Sequence, residues 1–76
     1  MPKNKAIHPL PFKDAVRQVR VHRGMTQDQA SAYMGIPLQT WASWELGLRE
    51  PTRGSAIALL KIRFPEITQL LEPKQE

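Results

Sequence analysis

The sequence contains no cysteine, few histidines and no long apolar run, and each shortage excludes a class of structure. Without cysteine, neither a disulfide nor a thiolate metal site can reinforce the fold. His8 and His22 do not have a metal-ligand spacing, and no Ser/His/Asp arrangement or glycine-rich phosphate loop is visible. No apolar stretch approaches the roughly 18 residues of a membrane span, and the first residues lack the apolar region of a signal peptide. We therefore expect a cytoplasmic protein that is not an enzyme and needs no cofactor or metal.

Charge is present in excess of one sign and is unevenly distributed. The 76 residues carry a formal net charge of +4. A chain of this length has room for one small domain with a thin core. Residues 1–63 are basic on balance, whereas residues 64–76 are acidic on balance. A basic main body attracts polyanions, so nucleic acid is favoured as a partner over a membrane.

Helical signals begin after an aperiodic segment. Residues 1–10 are predicted to be a flexible basic arm, residues 11–72 a single domain and residues 73–76 a tail. Pro11 suits the first position of a helix, the apolar residues that follow have helical spacing, and Gly24 fits a left-handed C-terminal cap. Thr26 and Gln29 have the spacing of a capping box, which predicts a second helix that Gly35 ends.

A third helix is predicted from Leu38 to Leu46, with Trp41 and Trp44 facing the core and Gly47 after its end. Pro37 cannot supply a side-chain cap, although it can serve as the first residue of this helix. Stacking of the two indoles on nucleobases is the alternative to core packing, and we consider it less favoured because their spacing is that of an amphipathic helix.

Two more helices are predicted after Pro51. Thr52 or Ser55 can cap the fourth, which Pro65 should end near Arg63. The apolar residues predicted for this helix are Ala56, Ile57, Leu59, Leu60 and Ile62. Pro65 can begin a fifth helix that ends before Pro73. The predicted fold class is all-α, a compact bundle of four to five short helices.

The segment between residues 27 and 46 has the pattern of two helices joined by a tight turn. Gly35 supplies the turn, Ser31 is small enough for close helix approach, and apolar residues flank both. The motifs Thr26-Gln27, Gly35-Ile36 and Trp44-Glu45-Leu46-Gly47-Leu48-Arg49-Glu50-Pro51 resemble the XRE family, the Cro and phage-repressor type of helix-turn-helix protein. The resemblance covers about residues 12–63. It implies a lambda-repressor-like bundle, a homodimer that binds inverted repeats of double-stranded DNA, and transcriptional repression.

The third helix would be the recognition helix, whose N-terminal part reads base edges in the major groove. The residues predicted to contact bases are Leu38, Gln39, Thr40, Ala42 and Ser43. Gln39 is the best equipped of them, because its amide can donate to and accept from adenine together. Leu38 and Ala42 offer only apolar contact to a thymine methyl.

Phosphate contacts are predicted from the flanking segments. The family resemblance implies a phosphate contact for Gln27, and the charges of Arg49 and Arg53 can neutralise phosphate after the recognition helix. Weaker candidates are Arg17, Arg23, Lys3 and Lys5. The resemblance also pairs Glu45 with Arg20 as a structural ion pair between the first and third helices.

Two alternatives stay open at this stage. The chain resembles small antitoxins of the same family around residues 53–60, so a toxin partner and repression of its own operon are a second reading. A bundle of this shape can also act as a protein-interaction module without DNA, because a fold does not fix a function. Steep loss of duplex binding with added salt would favour the DNA reading.

Overall fold

Five helices make up the part of the chain that the computed structural model describes, residues 10–71. They are α1 (Phe12–His22), α2 (Gln27–Met34), α3 (Leu38–Leu46), α4 (Gly54–Arg63) and α5 (Ile67–Leu71). No strand occurs in these 62 positions of the sequence, 10 to 71. The predicted all-α fold with a central helix-turn-helix is therefore confirmed.

The ends of the first three helices follow from local chemistry. Thr26 accepts a hydrogen bond from the backbone N–H of Gln29, whose side chain accepts from the Thr26 N–H, so the predicted capping box is present. Gly24, Gly35 and Gly47 have φ values of 69°, 73° and 78°, in the left-handed region that glycine adopts without a steric penalty. These three turns fix where the helices stop.

The sequence allowed Pro37 to be the first residue of α3, but in the structure the helix begins one residue later. Pro37 is the residue before the helix, with extended backbone, and its carbonyl oxygen accepts from the N–H groups of Thr40 and Trp41. No side chain caps this end. The helix bounds themselves, Leu38–Leu46, are those predicted.

The fourth helix is where the sequence prediction was partly wrong. Neither Thr52 nor Ser55 is the N-cap, because Arg53 occupies that position without a side-chain cap. Ile62, a predicted apolar position, is 70% exposed. The helix does end at Arg63 as Pro65 predicted, but α5 begins at Ile67 rather than at Pro65.

The core lies between the helices, where α3 packs against α1 and α2, α4 packs against α2, and α5 packs against α1 and α4. Its buried apolar side chains are Ala15, Val16, Val19, Ala30, Met34, Trp41, Trp44, Leu60, Phe64 and Ile67. Phe64, just after α4, is fully buried and packs its ring against Trp41 with centroids 5.6 Å apart. Phe64 therefore packs against the inner face of α3, where Trp41 lies.

The two ends of the described segment meet. The backbone N–H of Leu10 donates to the carbonyl oxygen of Leu70 at 2.9 Å, which joins the start of α1 to α5. The rest of the predicted arm and the predicted tail, 73–76, lie outside the described residues, as do Lys3 and Lys5. Within residues 10–71, none of the helices is both long and apolar enough to cross a membrane.

Candidate nucleic-acid interface

The α2–turn–α3 unit is closed by small residues and a left-handed glycine. Ser31 is buried on α2, and its carbonyl oxygen accepts from the N–H of Ile36 at 3.0 Å. The Ser31 hydroxyl in turn donates to the carbonyl oxygen of Asp28 at 2.9 Å, so burying this polar group leaves no donor unsatisfied. The turn at Gly35 therefore sets α3 firmly against α2.

The inner face of α3 consists of its two tryptophans. Trp41 is fully buried and Trp44 is 4% exposed. The Trp44 ring packs edge-on to Phe12 of α1 at a centroid distance of 5.7 Å. The prediction that both indoles pack in the core is confirmed, because rings this buried have no face free for a nucleobase.

Glu45 is a buried carboxylate that ties α3 to the helices around it. Arg20 of α1 donates to both of its oxygens, from Nε to Oε2 at 2.5 Å and from Nη2 to Oε1 at 3.0 Å. Trp41 donates its indole N–H to Oε2 at 2.5 Å, and Gln27 of α2 donates to Oε1 at 3.1 Å. Arg17 lies at the edge of this cluster, 3.4 Å from Oε1. Glu45 thus links α1, α2 and α3.

These donors determine the charge state of the cluster. Burial acts to raise the pKa of Glu45, but the hydrogen bonds from Arg20, Gln27 and Trp41 outweigh it and hold this pKa below its ordinary value. The same hydrogen bond to Glu45 raises the pKa of Arg20, even though burial opposes that shift. The pair is therefore ionised at neutral pH. A negative charge inside the unit does not face the solvent side where phosphate would approach, since its carboxylate is 1% exposed.

The outer face of α3 carries the residues predicted to read bases. Leu38 is 45% exposed and Gln39 is exposed, whereas the side chains of Thr40, Ala42 and Ser43 are half-buried. All five thus reach the surface, and Thr40 does so at the border with Trp44, with which it lines one depression. Of these five residues, the first two of the helix are the most exposed.

Arg49 lies beside this outer face although it follows the helix in sequence. It lines one shallow, mostly polar depression together with Gln39, Thr40 and Ser43. Arg53 does not take part in that depression. It lines a neighbouring one that Arg49 also borders, formed by the loop between α3 and α4. The structure therefore brings Arg49 to the predicted base-contacting residues and leaves Arg53 in the flanking loop.

The remaining predicted phosphate contacts have other partners as well. Gln27 is half-buried at the start of α2 and uses its amide group to donate to Glu45. Arg23 donates to Glu66 from Nε at 2.6 Å, and its guanidinium lies 4.6 Å from the centre of the Phe64 ring. The hydrogen bond from Arg23 also lowers the pKa of Glu66. This second ion pair, between α1 and the start of α5, was not predicted from the sequence. Its residues are 43 positions apart, and no local pattern joins them.

Among residues 10–71, no three histidine, aspartate or glutamate side chains are grouped so that they could hold a metal ion. Arg49 and Arg53 are the cations nearest to the outer face of α3 in the two depressions. The two arginines make this surface suited to binding an anionic, hydrogen-bonding partner.

Comparison with known protein families gives a match. The family model described as helix-turn-helix matches residues 16–62, which is more than half of the chain. The matched range begins inside α1 and ends inside α4, so it contains the whole α2–turn–α3 unit. No curated protein and no solved structure matches the chain.

Proposed function

The chain belongs to the XRE-type helix-turn-helix family and is a DNA-binding regulator of that type, and from this premise we propose that it represses transcription by binding an inverted-repeat operator as a homodimer. One observation carries the proposal. The inner face of α3 is fixed by two buried indoles and the Glu45 cluster, while its outer face reaches solvent beside Arg49 and Arg53, which form no ion pair within residues 10–71. A rigid helix with a polar, cation-flanked outer face is what major-groove reading requires.

Each part of the surface has a proposed role. Gln39 reads a base edge through its amide, with Thr40 and Ser43 as weaker polar contacts and Leu38 and Ala42 as apolar contacts to thymine methyls. Arg49 and Arg53 add attraction to phosphate. Gln27 is at the N-terminus of α2, where backbone N–H groups also favour phosphate, and its bond to Glu45 holds its side chain at that edge.

Salt dependence tests whether the surface binds DNA at all. If Arg53 neutralises one phosphate in each protomer, Arg53→Ala should reduce the slope of log K against log salt by about 0.9 per protomer. Arg63→Ala is the matched control, because Arg63 lies over the Tyr33 ring and borders neither depression. The slope of this control should equal that of the unchanged chain. Absence of salt-dependent duplex binding at about 100 μM protein would refute the proposal in favour of a protein-interaction module.

Base reading is tested by selection. Duplexes bound from a random pool should contain a short palindromic motif, and Gln39→Ala should abolish the preference at one position of each half-site. The loss of discrimination there should be roughly 5- to 100-fold, as expected for one bidentate contact. A reporter gene with the selected site over its promoter should then fall in expression when the protein is present. A rise in expression would contradict repression but leave DNA reading intact.

Homodimerisation is the remaining part of the proposal. One nine-residue helix reads few base pairs, and two half-sites about 34 Å apart would supply the rest. Leu46 and Leu48 are 64% and 73% exposed, and they are the side chains we propose for the dimer contact. Sedimentation with the selected palindrome should show two protomers per duplex. Leu48→Ser should reduce the fraction of duplexes that carry two protomers. One protomer per palindrome at saturation would contradict the dimer.

A further inference from the structure

Arg49 is held close to the base-contacting residues by the way the chain reverses after α3. Gly47 takes a left-handed conformation, and the N–H of Leu48 donates back to the carbonyl oxygen of Ser43 at 3.0 Å. This reversal turns the following residue back along the helix. Arg49 consequently shares a depression with Gln39, which precedes it by ten positions in the sequence.

The guanidinium of Arg49 also differs from those on α1. Arg17, Arg20 and Arg23 each donate to a carboxylate. In the described part of the chain, by contrast, no hydrogen bond or ion pair engages Arg49, although Glu50 is its neighbour in sequence. Its five N–H donors are therefore available to a ligand that enters the depression.

The surrounding surface lacks this chemistry. Leu38 and Ala42 have no hydrogen-bonding side-chain groups, and Gln39 is suited to adenine rather than to guanine. Guanine presents two acceptors, O6 and N7, in the major groove, and these are matched by the paired donors of an arginine. Among the described residues that line this depression, Arg49 alone offers a cationic set of donors to a partner rich in acceptors.

We propose that Arg49 is a specificity-determining residue that reads a guanine in the major groove, next to the base pair read by Gln39. The inference rests on the proposed DNA binding and gives Arg49 a role beyond phosphate attraction. Arg53 has no such role, because it does not line the depression that contains Gln39 and Ser43, and shares only Thr40 of the predicted base-contacting residues in the neighbouring one.

Arg49→Lys separates the two roles. Lysine keeps the positive charge but loses the planar pair of donors, so a contact with phosphate survives and a bidentate contact with guanine does not. Arg63→Lys is the matched control, since it makes the same exchange at a residue that lies over the Tyr33 ring and borders neither depression. Both variants and the unchanged chain are used in selections from one random duplex pool, followed by titration of the selected site and of the same site with each base pair replaced. Far-ultraviolet circular dichroism establishes that all three fold alike.

The expected result is loss of one guanine preference per half-site in Arg49→Lys, by roughly 5- to 100-fold, with every other position unchanged. Arg63→Lys should keep the full motif. If Arg49→Lys selects the same motif as the unchanged chain, or weakens all sites equally, the guanine contact is refuted and Arg49 only attracts phosphate. If the unchanged chain itself selects no motif, the proposed operator reading fails, and that failure is visible before any variant is compared.

Discussion

Replacing Arg20 with alanine removes the main partner of the Glu45 carboxylate and measures what that contact contributes to folding. The carboxylate is 1% exposed, whereas the Arg20 side chain is 17% exposed. Removing one partner of a buried pair leaves an uncompensated charge and costs about 3–5 kcal/mol. Gln27 and Trp41 still donate to Glu45 in the variant, so we expect the lower end of this range.

The expected change is large for a chain of this size. A domain of this length has a free energy of unfolding of roughly 4–11 kcal/mol. Each kcal/mol corresponds to about 4–8 °C in melting temperature, so Arg20→Ala should lower it by roughly 12–24 °C. Thermal melts followed by circular dichroism, together with urea titration at 25 °C, give the two quantities independently.

Two further variants make the cause specific. Arg17→Ala removes the other guanidinium, which is 55% exposed and 3.4 Å from Glu45, and should cost less than about 1 kcal/mol. The double variant Arg20→Ala with Glu45→Gln removes the buried charge while keeping an acceptor for Trp41. It should therefore be more stable than Arg20→Ala alone. This reasoning is refuted if the melting temperature of Arg20→Ala lies within about 2 °C of that of the unchanged chain. It is also refuted if Arg20→Ala and Arg17→Ala melt at the same temperature.

Three other outcomes are expected. Because the pKa of Glu45 is lowered in the folded state, its ionised form stabilises the fold above the unfolded-state pKa of about 4.3. This stabilisation is lost as the pH falls through the folded-state pKa. Urea titrations from pH 7 to pH 3 should therefore show a smaller decrease in the free energy of unfolding for Glu45→Gln than for the unchanged chain. Gly35→Ala should lower the free energy of unfolding by about 1–2 kcal/mol, because alanine is strained in the left-handed conformation. Gly47→Ala should lower it by at least as much, because a Cβ there would also lie 3.0 Å from Lys13 Cδ. Equal stability of Gly47→Ala and the unchanged chain in urea would contradict this. Thr26→Ala should lower the unfolding free energy by about 1 kcal/mol through loss of the capping box, and amide exchange in the first turn of α2 should accelerate; unchanged exchange would refute a capping role.

The first three helices were predictable because their boundaries depend on neighbours in sequence. The Thr26–Gln29 capping box and the glycines after α2 and α3 act within four residues, so a single sequence contains the whole signal. The start of α4 was not predictable in this way. A hydroxyl cap contributes about 1 kcal/mol, whereas burying Leu60 or Phe64 contributes about 1.5–3 kcal/mol each, and packing therefore decides the register.

The site was predictable only in part for a similar reason. The outer positions of α3 follow from its helical period once Trp41 and Trp44 are assigned to the core. The Arg20–Glu45 contact was expected from the family resemblance, but the contribution of Gln27 depends on how α2 crosses α3. The position of Arg49 beside Gln39 depends on the chain reversal and on the direction of one side chain, neither of which leaves a periodic pattern.

The burial of Glu45 behind α3 also has a consequence for redesign. All of its contacts, and both indoles, are on the inner side of the helix, so the outer residues contribute little to holding the helix in place. The exposed residues Leu38 and Gln39 can therefore be exchanged for other side chains at a cost within the usual surface range of about 0.5 kcal/mol. One stable scaffold can then accept many different reading faces, and new sequence preferences can be grafted onto it without first re-stabilising the fold.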